Sequence, residues 1–167
     1  MLRPRNASKL RRSFILVIIG CLLIIFFVSF EDIRAKIRDE KRKADIKQVV
    51  KALEIYYGKF NSYPDSQDND WNGWDATFEP GSHPYRFITP LEEERILLRG
   101  PVDPINNSIY FYRYRKFPAG SFGCERPFYV LQIVNFETAQ DDHGWGRCPQ
   151  RDFVKELPNG FTVMKFD

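Results

Sequence analysis

A cluster of carboxylate and amide side chains between residues 68 and 79 has the spacing of a calcium-binding loop. Ca²⁺ prefers several hard oxygen ligands from one short loop, and Gly73 would allow the sharp turn that such a loop needs. The predicted ligands are the side chains of Asp68, Asp70, Asn72 and Glu79 and the main-chain carbonyl of Trp74. Asp75 stands where such loops carry an apolar residue. A calcium loop and a solvated acidic turn therefore stay open as alternatives.

Other kinds of chemistry have little support in the sequence. The two histidines, His83 and His143, have no nucleophile motif near them, and the sequence contains neither a glycine-rich phosphate loop nor a CxxCH motif. We therefore expect no enzymatic activity. Residues 109–115 interleave aromatic and basic side chains that could stack on bases. Residues 61–167 nevertheless carry a net charge of −5, so nucleic acid is not an expected partner.

Two of the three cysteines, Cys124 and Cys148, lie far along the chain from the third, Cys21. They lack CxxC spacing, which favours a disulfide over a metal site in an oxidising compartment. Two buried free thiols are the alternative. A disulfide closing this loop would stabilise the fold by about 3 kcal/mol in the chain-entropy treatment.

An uncharged stretch from Ser13 to Phe30 stands out in a chain whose mean hydropathy is only −0.42. A stretch of this length is about the minimum that crosses a bilayer as a helix. We therefore expect a transmembrane helix and a single-pass protein of the cell (inner) membrane. A removed signal peptide lacks its small-residue cleavage site here, and a lipoprotein signal at Cys21 would be followed by an apolar tether instead of a polar one.

The membrane orientation is not determined by the basic residues, because they are numerous on both sides of the apolar stretch. Residues 1–12 carry a net charge of +5 and residues 31–60 a net charge of +3. The expected disulfide and the aromatic C-terminal domain favour an extracytoplasmic C-terminus. The basic arm would then lie in the cytoplasm.

Apolar residues recur at helical spacing beyond the apolar stretch, which predicts one helix from about Phe14 to Tyr57. Its apolar stripe comprises Ile46, Val49, Val50, Leu53, Tyr57 and Phe60. The charged residues 31–45 are expected to be solvated, with pairs such as Asp39 and Lys43. A second, short helix is predicted from Thr89 to about Leu98, with Thr89 as N-cap and Glu92 completing a capping box.

Three segments have the composition of strands, namely residues 109–115, 128–136 and 161–166. Loops without a crossover helix join them, so the sheet should be antiparallel and covered by the long helix. The predicted class is α+β, with a long N-terminal helix packed on a three-stranded antiparallel sheet. The predicted divisions are an arm at 1–12, a transmembrane helix at 13–30, an amphipathic helix at 31–60, an αβ-loop with a short helix at 61–107 and a sheet headpiece at 108–167.

Several segments in this order resemble type IV pilins and the pseudopilins of type II secretion. The sequence ALEIYY at 52–57 and NSYP at 61–64 is similar to the family's helix end. The sequence PVDPINN at 101–107 is similar to the segment that precedes the first strand in major-pseudopilin-like proteins, and YVL at 129–131 is similar to the second strand. The resemblance covers residues 44–136 and implies a pilin-like fold.

The resemblance also implies processing by a prepilin peptidase and methylation of the new N-terminus. Phe14 aligns with the first mature residue, which makes the Ser13–Phe14 bond the candidate processing site. Ser13 replaces the family's glycine, and Ile18 replaces its acidic fifth residue, so that residue's charge pairing with a neighbouring subunit is not available. By the same resemblance a later loop is a second candidate for calcium, with Glu137, Asp141 and Asp142 as ligands.

The function expected from the resemblance is that of a structural or minor subunit of a type IV pilus or type II secretion-like filament. Its partners would be the membrane, other pilin-like subunits packed helix to helix in a homo-oligomer or filament, and assembly-platform proteins. Loops 64–84 and 137–152 would carry the subunit or ligand contacts. The alternative is a non-assembling, membrane-anchored binding module that uses a pilin-like headpiece.

Overall fold

The computed structural model describes residues 5–67, 73–78 and 87–167, with the side chains of residues 5–13 and 22–29 excepted. Helix and sheet are both present, so the predicted α+β class is confirmed. The chain divides into two compact units, Met1–Ile37 and Arg38–Asp167. The helix α1, Arg5–Phe60, contributes residues to both units.

Helix α1 extends beyond its predicted bounds at both ends. It begins nine residues before Phe14 and continues through Gly58 to Phe60. It stops because Asn61 adopts a left-handed conformation with φ 53°, from which its N–H bonds to the Tyr57 carbonyl at 2.7 Å. This is a common way for a helix to end.

The predicted transmembrane helix at 13–30, and with it the inner-membrane localisation, was wrong. Among the described residues, no helix combines the length and the apolar character that crossing a membrane requires. A crossing helix needs about 20 consecutive apolar residues.

The second unit is built on a sheet that is larger than predicted. Within the described residues, five strands form one mixed sheet, namely β1 Asp75–Ala76, β2 Tyr112–Phe117, β3 Phe128–Ile133, β4 Gly144–Trp145 and β7 Phe161–Phe166. Their order in the sheet is β1-β2-β3-β7-β4. Two further strands, β5 Arg147–Cys148 and β6 Arg151–Asp152, form a separate antiparallel pair. The three long strands β2, β3 and β7 are antiparallel and correspond to the three predicted strands. Strands β1 and β4 have two residues each, too few to leave a sequence pattern.

Strand β4 makes the sheet mixed because it pairs in parallel with β7, Gly144 beside Thr162. Gly144 has φ +76°, and a Cβ at this position would lie 1.9 Å from the Thr162 carbonyl oxygen. Only glycine allows the two strands to approach this closely.

The apolar stripe of α1 packs on one face of the sheet, as predicted. Ile46, Val49 and Leu53 are at most 2% exposed and belong to a core with the inward side chains of β2 and β3. Those side chains are Tyr112, Tyr114, Tyr129, Leu131 and Ile133. The opposite face of the sheet has its own core of Phe117, Phe128, Val130, Phe153, Met164, Trp74 and the two cysteines Cys124 and Cys148.

The second helix, α2 Thr89–Glu93, is shorter than predicted and lacks the predicted capping box. Its N-cap is Ile88, not Thr89, and no side chain caps it. The Glu92 carboxylate instead accepts the Gly100 N–H at 2.6 Å, and the Ile88 N–H is bonded to the Asp75 carboxylate at 3.0 Å. Tertiary partners thus replaced the local capping bonds.

Candidate functional site

Most of the predicted calcium loop lies outside the residues that the structure describes. Asp68, Asp70, Asn72 and Glu79 lie outside the described residues. Trp74 is described and 8% exposed. Its ring stacks beneath the Arg113 guanidinium, 4.2 Å from the ring centroid, and meets Phe117 edge-on. Among the described residues no group of three or more His, Cys, Asp or Glu side chains could hold a metal ion; the calcium loop stays a prediction.

The second calcium candidate lies in a loop that the structure describes, and its three carboxylates have different contacts. Glu137 binds the guanidinium groups of Arg38 and Arg42. Asp141 and Asp142 are exposed, and the Asp142 carboxylate accepts the Gly144 N–H at 2.8 Å. The structure therefore does not bring the three carboxylates together as a ligand set.

The predicted disulfide is present between Cys124 and Cys148. Both cysteines are at most 5% exposed, and they pack in the core on the far face of the sheet. The disulfide closes a loop with a sequence separation of 24. Cys21 is exposed and is the remaining free thiol.

Two rings of the aromatic and basic segment 109–115 are not accessible for base stacking. Tyr112 and Tyr114 are fully buried in the core beneath α1. On the opposite face, Arg113 donates to the Gln132 amide oxygen at 2.7 Å and lies over Trp74. Burial lowers the pKa of Arg113 to about 10, which still leaves it charged at neutral pH.

Neither histidine lies in a catalytic arrangement that the structure describes. His83 falls outside the described residues. The His143 ring has Nδ1 3.1 Å from the Gly160 carbonyl, a contact that holds the loop before β4 against β7.

A buried cluster of charges that sequence reasoning missed surrounds Arg42. Arg42 is fully buried and bonds three carboxylates. Its Nη1 lies 2.7 Å from Asp39 and 2.7 Å from Glu137, and its Nε lies 2.6 Å from Asp103. The Cζ atom of Arg42 also lies over the Tyr110 ring, 4.9 Å from the ring centroid. One side chain thus connects α1 to two separate loops.

The carboxylates of this cluster organise the main chain of those loops. Asp39 accepts the N–H groups of Glu137 and Thr138 at 3.1 and 2.9 Å. Asp103 accepts the N–H groups of Ile105 and Asn106 at 2.8 and 3.2 Å. Because buried main-chain donors need partners, each carboxylate orders a turn while it neutralises Arg42.

The protonation states in the cluster are those of a structural ion-pair network. Hydrogen bonds from Arg38 and then Arg42 hold the pKa of Glu137 below its usual range and outweigh burial, which acts the other way. Burial acts to lower the pKa of Arg42, but hydrogen bonds to Asp103, Glu137 and Asp39 raise it overall. Glu137 and Arg42 are therefore both charged at neutral pH, and each is held by several partners.

The sequence pattern gave one misleading signal here. The predicted pair of Asp39 and Lys43 does not form, since Lys43 pairs with Glu40 at 3.0 Å. Asp39 is 1% exposed and Asp45 is 6% exposed, contrary to the expectation of a solvated segment. The spacing of Asp39, Arg42 and Asp45 at i, i+3 and i+6 places them near one helical face. Besides local partners on α1, Arg42 binds Asp103 and Asp45 binds Tyr112, which lie 61 and 67 residues away along the chain.

The chain matches no protein-family model, no curated protein and no solved structure in the comparisons made. The candidate site is therefore defined by the geometry of the chain itself.

The part of α1 in the first unit presents apolar side chains to solvent. Six consecutive residues, Phe14–Ile19, are between 47% and 71% exposed. Because successive residues of a helix are turned by about 100°, six in a row cover its whole circumference. The candidate processing bond, Ser13–Phe14, lies within α1, so a peptidase would have to open the helix locally to reach it.

Proposed function

We propose that this chain is a pilin-like structural or minor subunit of a type IV pilus or type II secretion-like filament, and that it assembles through the N-terminal part of α1. The observation that carries the proposal is the exposed apolar run Phe14–Ile19. A helix that is apolar all round needs an apolar cover. Equivalent helices of other copies would provide this cover by lateral packing.

The second unit supports the proposal through its architecture. A helical stripe of Ile46, Val49 and Leu53 packs on an antiparallel arrangement of three long strands, and a disulfide closes the C-terminal part. This is the arrangement expected for a pilin-like headpiece. The loop 137–152 is anchored by Glu137 and Cys148 and would present subunit contacts between these two fixed points.

The free thiol at Cys21 provides a direct test of lateral helix packing. Cys21 is exposed and one turn after Val17, which places the two residues on the same helical face. A bis-maleimide reagent added to the purified full-length chain should give covalent dimers. The Cys21→Ser variant should give none.

The dimer yield should depend on the apolar run. Val17→Asp should reduce it at least tenfold, because a charge in an apolar helix interface costs several kcal/mol. Leu98→Asp, at a fully exposed residue of the second unit, is the matched control and should leave the yield unchanged. A chain that stays monomeric by light scattering and gives no dimers through Cys21 would contradict the proposal and favour a non-assembling binding module.

Processing is tested separately by mass spectrometry of the protein from its native cells. An N-terminus at Phe14, with a methyl group on the new amine, is expected for a filament subunit. An intact segment 1–13 in assembled material would show that assembly does not depend on cleavage at Ser13.

A further inference from the structure

A groove of about 500 Å³ lies in the second unit between α1 and strand β7. Its apolar lining consists of Ile46 and Val50 from the helix and Phe161 and Val163 from the strand. Ile46 is almost fully buried, whereas the other three are partly exposed. The groove is therefore an open trough over the edge of the helix–sheet core.

Three lysines line the helical side of this groove, namely Lys43, Lys47 and Lys51. They are spaced four residues apart, so they form a row about 12 Å long on one helical face. Asp142 is the one acidic residue in the lining. Lys43 is paired with Glu40 at 3.0 Å. Within the described part of the chain, neither Lys47 nor Lys51 has a carboxylate within ion-pairing distance.

The size of the groove favours a small molecule over a protein partner. Pockets for small ligands have volumes of roughly 300–1,000 Å³ and are mostly apolar with a few placed polar groups. A stable protein interface uses roughly 20–30 residues on each side. The groove is lined by eight residues, which is enough for a ligand of a few hundred Å³ but not for a protein interface by itself.

We propose that this groove binds an anionic amphiphile, specifically an unbranched alkyl carboxylate. The carboxylate would lie between Lys47 and Lys51, where two ammonium groups without a carboxylate partner can donate charge-assisted hydrogen bonds. The alkyl chain would cover Val50, Phe161 and Val163 and remove their apolar surface from water. This inference does not depend on filament assembly, because every residue it uses belongs to the second unit.

Isothermal titration of the full-length chain with dodecanoate, below its micellar concentration, tests the proposal. We expect one site per chain. Affinity should rise about threefold to fourfold for each methylene group from octanoate to dodecanoate, because each buried methylene contributes a roughly constant increment.

The charge requirement is tested with the double variant Lys47→Gln/Lys51→Gln. It should weaken dodecanoate binding by about tenfold or more, as expected for loss of hydrogen bonds to a charged group. It should leave the binding of dodecanol, which lacks the charge, unchanged. The matched control is Lys59→Gln/Lys155→Gln, which makes the same change in net charge at two exposed lysines outside the groove.

The apolar requirement is tested with Val50→Ser, after circular dichroism has shown that the variant is folded. It should weaken the binding of dodecanoate and dodecanol alike. Several weak sites per chain, or equal losses in the two double-lysine variants, would show nonspecific adsorption and overturn the proposal. Absence of binding to the wild-type chain would overturn it as well.

Discussion

Arg42 is the residue on which the arrangement of the second unit depends most. It is fully buried and binds Asp39, Asp103 and Glu137, which belong to three separate parts of the chain. A buried pair of this kind adds little stability compared with apolar packing, but removing one partner leaves the others buried and uncompensated. The cluster therefore acts chiefly to specify where two loops attach to α1.

Arg42→Met should lower the free energy of unfolding by about 3–5 kcal/mol, because it leaves carboxylates buried without a cation. The matched control is Lys43→Met, one position along the helix, which breaks an exposed pair with Glu40 and should cost at most about 1 kcal/mol. Urea unfolding followed by circular dichroism measures both. Equal costs for the two variants would contradict the assigned role of Arg42.

Glu137 should make the second unit sensitive to acid. Its pKa is lowered in the folded protein, chiefly by the hydrogen bond from Arg38. The stabilisation from its ionised form is therefore complete above the ordinary pKa of 4.5 and is lost as the pH falls through the lower folded value.

Thermal unfolding followed across the acidic range should show this loss, and Glu137→Gln should show a smaller change over the same range. Glu156→Gln is the control, because it removes a partly exposed partner of Arg151. An identical pH profile for wild type and Glu137→Gln would refute the assignment.

Among the elements, the junction of β4 and β7 requires glycine most strictly. Gly144→Ala combines a left-handed backbone with a clash against the Thr162 carbonyl. Gly120→Ala is a matched control, since Gly120 has a similar φ of +83° and nothing within 4 Å of its added Cβ. We expect a loss of about 1–2 kcal/mol at Gly120 from the backbone alone, and a further 1–3 kcal/mol or so at Gly144 from the clash. Denaturant titration measures the free energy of unfolding of both variants. Equal losses of stability would argue against the observed approach of the two strands.

The disulfide anchors the segment between β3 and β7. The Cys124→Ala/Cys148→Ala variant should lose about 3 kcal/mol of stability through the greater freedom of its unfolded chain. Reduction of the wild-type protein should lower its free energy of unfolding by a similar amount and so lower its unfolding midpoint, while Cys21→Ser should not change the midpoint. A wild-type midpoint that does not respond to reductant would contradict this anchoring role.

At the scale of the whole molecule, the main core is rich in tyrosine. Burial, reinforced by nearby carboxylates or tyrosines, raises the pKa of four of them well above 10, namely Tyr63, Tyr112, Tyr114 and Tyr129. A raised folded pKa gives stability that is complete below the unfolded pKa and is lost as the pH rises towards the folded value. The fold should therefore unfold at strongly alkaline pH.

Tyrosinate absorbance measured against pH tests this expectation for the four core tyrosines. The four core tyrosines should ionise only together with the loss of far-ultraviolet circular dichroism. In guanidinium all eight tyrosines of the chain should titrate together, and ionisation of the core group before unfolding would contradict the packing described.

Patterns that repeat along the chain predicted the largest features correctly. The stripe of Ile46, Val49 and Leu53 predicted the face of α1 that packs on the sheet, and strand composition predicted the three long strands β2, β3 and β7. Both signals are local, because the periodicity of a helix and the composition of a strand depend only on neighbouring residues. The pairing of Cys124 with Cys148 could also be predicted, because Cys21 lies far away along the chain.

The features that were missed depend on partners distant in sequence. Nothing local distinguishes Arg42 from the other basic residues of the charged segment, and its burial requires Asp103 and Glu137 to fold against it. The short strands β1 and β4 pair with β2 and β7, which are distant from them in sequence. The predicted capping box at Thr89 does not form, and the Glu92 carboxylate instead accepts the N–H of Gly100.

Periodicity, turn residues and cysteine spacing thus specify the α+β class, the helix face and the disulfide without reference to the rest of the molecule. Which charges are buried, which strand edges are occupied and whether a groove remains beside the lysine row are set by packing. Arg42 is removed from water only when Asp103 and Glu137, which lie 61 and 95 residues away along the chain, fold against it. Such contacts produce no periodic pattern in the sequence, because the charges lose their water and gain their partners only when the chain folds.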